Sequence, residues 1–538
     1  MMQRNTILTS ALCAALLVLL GCEGSPPAPW TVTTLVAPGP FHGIHGLGYD
    51  RDGRLLAGSV VGAATYAVDR ESGEVTIALP APDGMADDLA LAPDGTLAWT
   101  GFLSGTLWIQ RPGEAPQRIA AGYPGANSLA FTEDGRLFFT QVFLGDALYE
   151  ADLSGAQAPR LIMEGMGGLN GFEIGPDGAL YGPLWFKGQI ARVDLETETL
   201  SVIADGFAIP AAVNFDSQGR LFTVDTQKGE VLEVNREGGP HRLIATVAPA
   251  IDNLVITPDD QIIISNMADN ALIEIDPDSG ATRTIVSSAL AVAGDLAATE
   301  AGDGAWIADV FSLRRVDGKG TVTEAARQYA GALENPLAVG AGAGEVATSS
   351  WSAGVIQRFD ATSGAILGTY HGMPSPMDVL PLGGEAVLFL DFLGGRLVEA
   401  TGPHLENQRV ILGDLAGPVA LLRDDAEHVL ISERGAGQVR RVNLTDGRAT
   451  VVAGGLQAPE GLTRTLDGTL LVADVDQRAV FAVDGGGLRA IAEDLPIGFE
   501  APPGTPAAFI PTGLATLGDG TVLLSADQNA SVLRLTPP

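Results

Sequence analysis

The sequence predicts an all-β protein built from repeated four-stranded units, and three observations lead to this prediction. Short apolar runs alternate with turns that contain Asp-Gly or Pro-Asp-Gly, as in residues 169–195. Such turns between alternating segments are typical of antiparallel hairpins. Glycines in these turns recur about every 40 residues, a period typical of propeller blades rather than α-solenoids, whose runs would show helical spacing. The repeat is marked by Gly53, Gly95, Gly135, Gly178, Gly219, Gly304, Gly344, Gly384, Gly468 and Gly520, with Asp260 and Glu427 at two equivalent positions.

Twelve such units predict twelve blades of a β-propeller. Residues 127–131, 136–141, 147–151 and 160–163 illustrate the four strands of one unit, from the innermost to the outermost. Because twelve blades in one ring would leave a wide and unfilled centre, we expect two tandem six-bladed rings. One twelve-bladed ring closed by residues 30–36 is the alternative. The predicted domains are residues 30–280 and 281–538, with the boundary near residues 278–282.

The chain ends suggest how the two rings close. Residues 30–36 read as an outer strand with no unit ahead of them, and the last unit lacks its outer strand. We expect residues 30–36 to close the sixth blade and residues 281–286 to close the twelfth, which removes exposed sheet edges. Turns of the form Asp-x-x-Ser-Gly, as at residues 69–73, 276–280 and 360–364, are interpreted as hydrogen-bonded turns rather than calcium loops, because they lack the calcium-loop spacing.

The first 29 residues are predicted to lie outside the fold. Arg4 precedes a short apolar run, and Leu19-Leu20-Gly21-Cys22 resembles a bacterial lipobox. We therefore expect residues 1–21 to be a lipoprotein signal peptide, Cys22 to be lipidated and residues 22–29 to be a tether. Glu23 follows the cysteine where an inner-membrane signal would have Asp, which favours the outer membrane of the bacterial envelope. An ordinary secretory signal is the alternative. The membrane is expected to be contacted through the lipid anchor only.

The amino-acid composition restricts the kinds of partner that the protein is expected to bind. The 538 residues contain 65 Asp and Glu against 31 Lys and Arg, a formal net charge of −34. Such a surface repels nucleic acid and anionic lipid, and it favours cations or neutral ligands. The partner we expect is a small molecule or an envelope protein. The sequence contains no Gly-x-Ser-x-Gly elbow, no zinc-protease helix motif and no phosphate-binding Gly-Lys-Ser/Thr loop.

Propeller geometry indicates where a site would lie. Residues just before each innermost strand are expected to face the axial channel, and carboxylate and amide oxygens there are ligands of Ca²⁺ or a similar divalent cation. Polar groups that cap backbone or hold channel water are the alternative. In the first ring this column is His45, Asp87, Asn127, Asn170, Ala211 and Asp252, and the predicted metal ligands are Asp87, Asn127, Asn170 and Asp252.

A second column lies at the ends of the second strands. In the first ring it contains Asp225, and in the second ring it is more acidic, with Asp309 and Asp474, which we interpret as structural. Near this column Trp99 and Trp185, together with His45, are the predicted ligand-binding residues. Packing of the two indoles between blades is the alternative.

Units such as residues 126–152 and 459–484 resemble NHL repeats and the blades of the gluconolactonase and senescence-marker-protein family. That resemblance implies a six-bladed ring with one divalent ion on its axis, held by Glu, Asn and Asp, and an acidic general base. Asn170 matches the family's Asn, and Asp225 or Asp252 could match its acidic catalytic residue, but His45 stands where the family has Glu. Ligand binding is the predicted function. The alternative is a metal-dependent lactonase-like hydrolase in the first ring, and a ring-ester lyase with His45 as base is a third hypothesis.

Overall fold

The computed structural model describes residues 30–485, 487–502 and 505–538, and within them it is all-β, as predicted. The described residues form twelve four-stranded antiparallel sheets and two short 3-10 helices, Arg434–Ala436 and Asp527–Asn529. The signal peptide, the tether and Cys22 lie outside the described residues. None of the helices in the described ranges has the length and hydropathy of a membrane span.

Six sheets form the first ring, each from four consecutive strands. They are β2 (Leu47–Tyr49), β3 (Leu55–Ser59), β4 (Ala64–Val68) and β5 (Val75–Leu79); β6 (Leu89–Leu91), β7 (Leu97–Gly101), β8 (Thr106–Gln110) and β9 (Gln117–Ala121); β10 (Ala126–Phe131), β11 (Leu137–Gln141), β12 (Ala147–Ala151) and β13 (Arg160–Glu164); β14 (Glu173–Ile174), β15 (Leu180–Leu184), β16 (Gln189–Asp194) and β17 (Thr199–Asp205); β18 (Pro210–Phe215), β19 (Leu221–Asp225), β20 (Glu230–Glu233) and β21 (Arg242–Thr246); and β22 (Ile251–Ile256), β23 (Ile262–Asn266), β24 (Ala271–Ile275) and β25 (Thr282–Val286).

The other six sheets form the second ring, whose last blade also takes the first strand of the chain. They are β26 (Leu296–Ala298), β27 (Gly304–Ala308), β28 (Ser312–Asp317) and β29 (Val322–Arg327); β30 (Ala338–Gly342), β31 (Glu345–Ser350), β32 (Val355–Asp360) and β33 (Ile366–His371); β34 (Pro376–Pro381), β35 (Ala386–Asp391), β36 (Arg396–Thr401) and β37 (Asn407–Leu412); β38 (Pro418–Arg423), β39 (His428–Glu433), β40 (Gln438–Asn443) and β41 (Ala449–Gly454); β42 (Pro459–Arg464), β43 (Leu470–Asp474), β44 (Ala479–Asp484) and β45 (Gly487–Ala492); and β46 (Leu514–Thr516), β47 (Val522–Ala526) and β48 (Ser531–Thr536) with β1 (Thr31–Val36).

The inner strands show that the sheets are arranged as two closed rings of six. Each inner strand contacts the next along the chain, and β22 returns to β2 while β46 returns to β26. One channel, of about 300 Å³, is lined by the six inner strands of the first ring. A second, of about 170 Å³, is lined by those of the second ring. The prediction of two six-bladed rings is therefore confirmed.

Burial follows from this radial arrangement. Second strands are sandwiched between neighbouring blades, so β3 and β15 are buried along their whole length. Outer strands such as β5 and β13 leave most of their residues partly or fully exposed. Apolar side chains from adjacent sheets interlock, as Phe138 and Leu180 do between the third and fourth blades. The core is therefore a series of layers between blades.

The predicted scheme for closing the rings is wrong. Strand β1 pairs antiparallel with β48, from Thr31 opposite Thr536 to Val36 opposite Val532, so it completes the last blade of the second ring. Strand β25 pairs with β24 and completes the sixth blade. The division into residues 30–280 and 281–538 stays a prediction. Strand β1 lies in the first of these ranges but belongs to the second ring, and β25 lies in the second range but belongs to the first ring. The chain starts in the second ring, builds the whole first ring and then returns.

Among the residues that the structure describes, no strand is shared across the seam of the first ring, and side chains close it instead. Asn270 of the sixth blade accepts a hydrogen bond from Gly43 N–H at 2.9 Å and donates one to the Phe41 carbonyl at 2.9 Å. Arg70 of the first blade forms ion pairs with Asp259 at 2.7 Å and with Glu274. These contacts replace the backbone ladder that seals the second ring.

The Asp-x-x-Ser-Gly turns have the predicted hydrogen bonds. In the turn at Asp69, the carboxylate accepts from Ser72 N–H at 2.7 Å, and Gly73 has a φ of 73°. The same bond is 2.7 Å at Asp276 and 2.7 Å at Asp360. The carboxylate that a calcium ion would need is occupied by the turn itself.

Candidate metal centre in the first ring

Three side chains at the start of inner strands converge at one mouth of the first ring. His45, Asp87 and Asp252 each offer a nitrogen or oxygen atom, and these atoms lie within 4.8 Å of one another. They come from the first, second and sixth blades, which are neighbours around the ring. We call these three residues the hub cluster.

The backbone holds the hub cluster in place. His45 N–H donates to the Gly58 carbonyl at 2.8 Å, and Asp87 N–H donates to the Thr100 carbonyl at 3.3 Å. Both bonds tie the residue before an inner strand to the end of the second strand of the same blade. Asp252 lies within β22, where Ile251 pairs with Asn266. The sheets therefore fix where these side chains leave the backbone.

Protein groups do not satisfy the two carboxylates. Among the described residues, the side-chain oxygens of Asp87 and Asp252 have no hydrogen-bond partner. Burial, followed by the charges of Asp252 and Asp88, raises the pKa of Asp87 well above its usual range. Burial also raises the pKa of Asp252 to about 7. Two carboxylates this close are destabilised as anions, and a bound cation would remove that cost.

His45 is oriented to offer its second nitrogen. Its Nδ1 lies 3.3 Å from the Gly43 carbonyl oxygen and 3.5 Å from the Val60 amide nitrogen. In the tautomer that carries its proton on Nδ1, the bond to Gly43 forms and the Nε2 lone pair is available to a metal. Burial lowers the pKa of His45 to about 4, which favours the neutral imidazole that binds metals. The cluster thus combines a neutral imidazole with two carboxylates lacking partners, which is a set of ligands suited to a divalent metal.

The two asparagines predicted as metal ligands use their side-chain oxygens to accept hydrogen bonds from other residues. Ser128 donates to Asn127 Oδ1 at 2.9 Å and to Asn170 Oδ1 at 3.3 Å, and Gly171 N–H donates to Asn170 Oδ1 at 3.0 Å. Gly171 is needed there because a Cβ would lie 2.3 Å from the Ala212 Cα. Of the four predicted metal ligands, the structure therefore brings Asp87 and Asp252 together with His45, and it engages the oxygens of Asn127 and Asn170 elsewhere.

Asp225, predicted as a catalytic residue, binds backbone. Its buried carboxylate accepts from Ala208 N–H at 2.7 Å, Ile209 N–H at 3.3 Å and Lys228 N–H at 3.1 Å. Those amides belong to the loop entering the blade and to the turn after β19. With its lone pairs directed to these groups, Asp225 is placed to hold loops together rather than to act on a ligand.

Equivalent residues elsewhere in this column repeat the arrangement. The Asp309 carboxylate accepts from Val292 N–H at 2.8 Å and pairs with Arg314 at 2.8 Å. The Asp474 carboxylate accepts from Gln457 N–H at 2.7 Å. The structural interpretation of these second-ring acids agrees with the geometry.

The two tryptophans predicted to bind ligand differ in position. Trp99 is fully buried, stacks on Trp108 with centroids 6.1 Å apart and donates from its indole to the Asp83 carbonyl at 2.8 Å. It is therefore a packing residue between blades. Trp185 is also buried, and its ring centroid lies 5.7 Å from that of Tyr329 in the second ring.

Residues of the second ring cover the hub cluster, and none of them was predicted from the sequence. The ring of Phe311 lies 5.6 Å from that of His45. Tyr329 packs against the apolar cluster that contains Ile251, next to Asp252, and burial, with the charges of Asp252 and Asp87, raises the pKa of its phenol. Gln328 flanks that phenol, and its Oε1 is buried without a hydrogen-bond partner in the described structure. Sequence carries no signal for these contacts because the residues belong to another ring.

The described parts of the Pro-rich insertion, residues 497–502 and 505–509, also contact both rings. Phe499 contacts the His42 ring at 5.2 Å, and the Phe509 carbonyl accepts from the Trp351 indole at 3.0 Å. Phe509 belongs to a buried apolar cluster that joins loops of both rings, including Val61. The hub cluster therefore lies at an interface and not at a free end of a propeller.

The hub of the second ring has its carboxylates occupied. Asp295 accepts from Leu296 N–H at 2.8 Å and from Val339 N–H at 3.0 Å, so it joins the inner strands of neighbouring blades. Asp378 does the same with Leu421 N–H at 2.6 Å. Burial raises the pKa of Asp295 to about 7. With these oxygens bound to backbone amides, the second hub offers a poorer metal site than the first.

No known family model matches the sequence, and no curated protein matches it. Solved structures are similar at low identity. The GH74 xyloglucanase from Xanthomonas campestris is 14% identical over 95% of this chain and 100% of its own, with a TM-score of 0.45. The extracellular domain of a putative one-component system from B. thetaiotaomicron is 11% identical, and the match covers 94% of this chain and 82% of that domain, with a TM-score of 0.33. Streptogramin B lyase is 12% identical, and the match covers 69% of this chain and 94% of the lyase, with a TM-score of 0.25. The propeller assignment rests on the strand pairing of this chain itself.

Proposed function

We propose that the protein binds a small ligand through a divalent cation held by His45, Asp87 and Asp252 at the hub of the first ring. The observation that carries this proposal is the pair of carboxylates that lie within 4.8 Å of each other and of an imidazole nitrogen. Neither carboxylate has a hydrogen-bond partner among the described residues. Without a cation the two carboxylates are neutralised only by taking up protons, whereas a bound cation compensates both charges at once.

The ligand set favours a first-row transition metal over calcium. The sequence led us to expect Ca²⁺ or a similar ion, because the predicted ligands were all oxygens. With an imidazole among the three, Mn²⁺, Fe²⁺ or Zn²⁺ fits better, since calcium prefers six to eight oxygen ligands. Three protein ligands leave coordination positions open for oxygen atoms of a ligand. The formal charge of −34 assists capture of a cation and disfavours anionic ligands.

Metal analysis tests the proposal. Protein purified without chelator and dialysed against each ion should retain about one equivalent, as measured by inductively coupled plasma mass spectrometry. His45→Gln, Asp87→Asn and Asp252→Asn should each lose it. Asn170→Ala is the matched control, because its oxygen is engaged by Gly171 N–H, and this variant should retain the metal. Loss of metal in Asn170→Ala with retention in Asp87→Asn would reverse the assignment. Absence of metal in every form would remove it.

A metal-dependent lactonase-like hydrolase is the second candidate, and the resemblance to the gluconolactonase family supports it. A cation at the hub would polarise a ring ester carbonyl. The carboxylate of Asp225 is engaged with loop amides, and Asp252 is one of the proposed ligands. A separate acidic base is thus lacking among the residues predicted for that role, so binding is the better supported function. Hydrolysis of γ- and δ-lactones by metal-loaded protein, absent in Asp87→Asn, would instead support the enzyme.

We also propose that Cys22 is lipidated and anchors the protein to the bacterial envelope, with the outer membrane as its address. Support comes from the Leu19-Leu20-Gly21-Cys22 motif and from Glu23 after the cysteine. Membership of the NHL or gluconolactonase-type propellers is proposed on the blade sequences. Metabolic labelling with a fatty acid analogue should mark the wild-type chain and leave Cys22→Ser unlabelled. Labelling that persists in Cys22→Ser would contradict the anchor.

A further inference from the structure

Apolar side chains are exposed on the same face of the first ring as the hub cluster. They lie on the loops that follow the second strands of the second, third and fourth blades. Phe143 is 44% exposed, Leu144 59% and Phe186 59%. The ring of Phe143 lies 6.1 Å from that of Phe102 and 5.6 Å from that of Phe186. We call Phe102, Phe143, Leu144 and Phe186 the rim patch.

The rim patch is continuous with the hub cluster through two more aromatic contacts. Phe143 meets Trp185 at 5.3 Å, and Trp185 meets Tyr329 at 5.7 Å. Tyr329 packs against the buried apolar cluster that contains Ile251, the neighbour of Asp252. The N–H of Gln328, the residue before it, donates to the carbonyl of Phe311 at 2.9 Å, and the Phe311 ring lies 5.6 Å from that of His45. A line of aromatic rings therefore leads from exposed residues at the edge of the face to the carboxylates at its centre.

Two members of this line have an unusual backbone. Phe143 has a φ of 67° and Tyr329 a φ of 66°, in the left-handed region. Residues other than Gly, Asn and Asp rarely adopt this backbone conformation, and those that do are found more often at functional sites. Both positions keep a bulky aromatic where Gly would fit without strain. The two aromatic residues are thus held at some cost in backbone energy, as are other non-glycine loop residues such as Ala63 and Val310.

We infer that the rim patch binds the planar, apolar part of a small neutral ligand whose oxygen atoms bind the cation at the hub cluster. This inference rests on the proposed function and names the class of ligand. Continuity of the patch with the cluster argues for one molecule that reaches both. Exposed aromatic faces gain free energy from burial and from ring stacking. A ligand with a chelating end and an aromatic body satisfies both parts of the surface.

A matched pair of probes tests the inference. Acetohydroxamate and 4-phenylbenzohydroxamate carry the same chelating group, and only the second carries an aromatic body, which consists of two linked rings. Binding to Co²⁺-loaded protein is followed by the cobalt absorption spectrum and by calorimetry. We expect the biphenyl probe to bind about ten- to a hundredfold more tightly, as burial of one or two rings implies.

Variants locate the source of that preference. Phe143→Ala and Phe186→Ala should each weaken the biphenyl probe about tenfold and leave acetohydroxamate within about twofold. Phe143→Leu keeps apolar volume and should lose less. Ile77→Ala removes an equally exposed side chain from the outer strand β5, 65% exposed, and should change neither probe.

The outcomes separate the two proposals. If acetohydroxamate does not bind Co²⁺-loaded wild type, the metal site fails and the inference fails with it. If acetohydroxamate binds and the biphenyl probe has no advantage, the metal site stands and the rim patch inference is overturned. The same holds if the advantage survives in both alanine variants. A dimer in sedimentation that Phe143→Ala dissociates, with equal probe affinities, would assign the patch to a second copy of the chain and overturn the inference.

Discussion

Replacing Asp87 by Asn is expected to stabilise the metal-free protein, whereas replacing Asp225 by Ala is expected to destabilise it. Both carboxylates are largely enclosed, and both were candidates for one site from sequence. Asp87 has a second carboxylate within 4.8 Å and no hydrogen-bond partner among the described residues. Asp225 accepts hydrogen bonds from loop amides, the shortest at 2.7 Å. The two substitutions therefore remove opposite contributions to the free energy of unfolding.

The magnitudes follow from these contacts. Two unit charges 4.8 Å apart repel by about 3–4 kcal/mol at an effective dielectric constant near 20. Because the pKa of Asp87 is raised, part of this repulsion is already relieved by protonation, and we expect Asp87→Asn to gain about 1–2 kcal/mol at pH 8. Asp225→Ala leaves several buried amides without an acceptor. Hydrogen bonds to charged groups contribute about 1.5–3 kcal/mol each, and partial hydration limits the expected loss to about 3–5 kcal/mol.

Urea unfolding of protein treated with EDTA at pH 8 measures both changes. Calorimetry with Mn²⁺ or Zn²⁺ provides the second measurement: Asp87→Asn should lose at least about a hundredfold in affinity, while Asp225→Ala should bind like wild type. A loss of stability above about 2 kcal/mol in Asp87→Asn would refute the repulsion argument. So would metal affinity that falls in Asp225→Ala and persists in Asp87→Asn, because the two carboxylates would then have exchanged roles.

Three further predictions follow from other parts of the structure. Burial raises the pKa of Glu173 to about 7, so its contribution to stability is present below the ordinary pKa of 4.5 and is lost as the pH rises through 7. The free energy of unfolding measured with urea should therefore fall between pH 5 and pH 8, and in Glu173→Gln this fall should be smaller by on the order of 2 kcal/mol. Arg70→Ala should destabilise the seam of the first ring by about 1 kcal/mol and speed limited proteolysis there. Arg54→Ala removes a bond within one turn and should leave the rate of proteolysis at the seam unchanged. Deleting β1 should leave β48 as an open edge, seen as faster hydrogen exchange in the last blade and as self-association, and unchanged exchange would contradict its closing role.

Much of the fold could be predicted from sequence because its signals are local. Alternating apolar runs and Asp-Gly turns determine each hairpin within a few residues, and the repeat of about 40 residues then counts the blades. The Asp69 turn shows the same principle, since the carboxylate and the serine that it binds are three residues apart. The number of blades and the turn chemistry were accordingly predicted correctly.

Ring closure could not be predicted because it depends on partners far apart in the chain. Residues 30–36 and 281–286 have similar alternating, polar sequences, and either would fit as the outer strand of either blade. The expected exchange assumed that each ring borrows a strand from its own start. The structure pairs β1 with β48, across almost the whole chain, and leaves β25 in its own sheet. Only tertiary packing distinguishes the two schemes.

The candidate site shows a similar division. Position in the repeat placed His45, Asp87 and Asp252 in one column, and the structure brings these three together. The sequence did not reveal that the oxygen of Asn170 is needed by Gly171 N–H, which depends on how closely the fourth and fifth blades approach. Which carboxylates remain without partners is decided by loop geometry, and loop geometry is the part of a propeller that a repeat pattern specifies least.

The path of the chain explains why a composite site of this kind can be maintained. Because β1 belongs to the second ring and β2 to the first, the chain crosses between the rings twice, after β1 and again after β25. The two crossings lie side by side, because a Cβ on Gly39 of the first would be only 2.9 Å from Ser288 Oγ of the second. Gly39 N–H also donates to the Asn529 carbonyl at 3.0 Å, and Ser288 accepts from Asn270 at 2.9 Å. A single connection would allow one ring to swing away from the other, whereas two adjacent connections restrict that motion. Phe311 and Tyr329 can therefore remain against the hub cluster of a ring to which they do not belong, and the second ring contributes to the site as well as enclosing it.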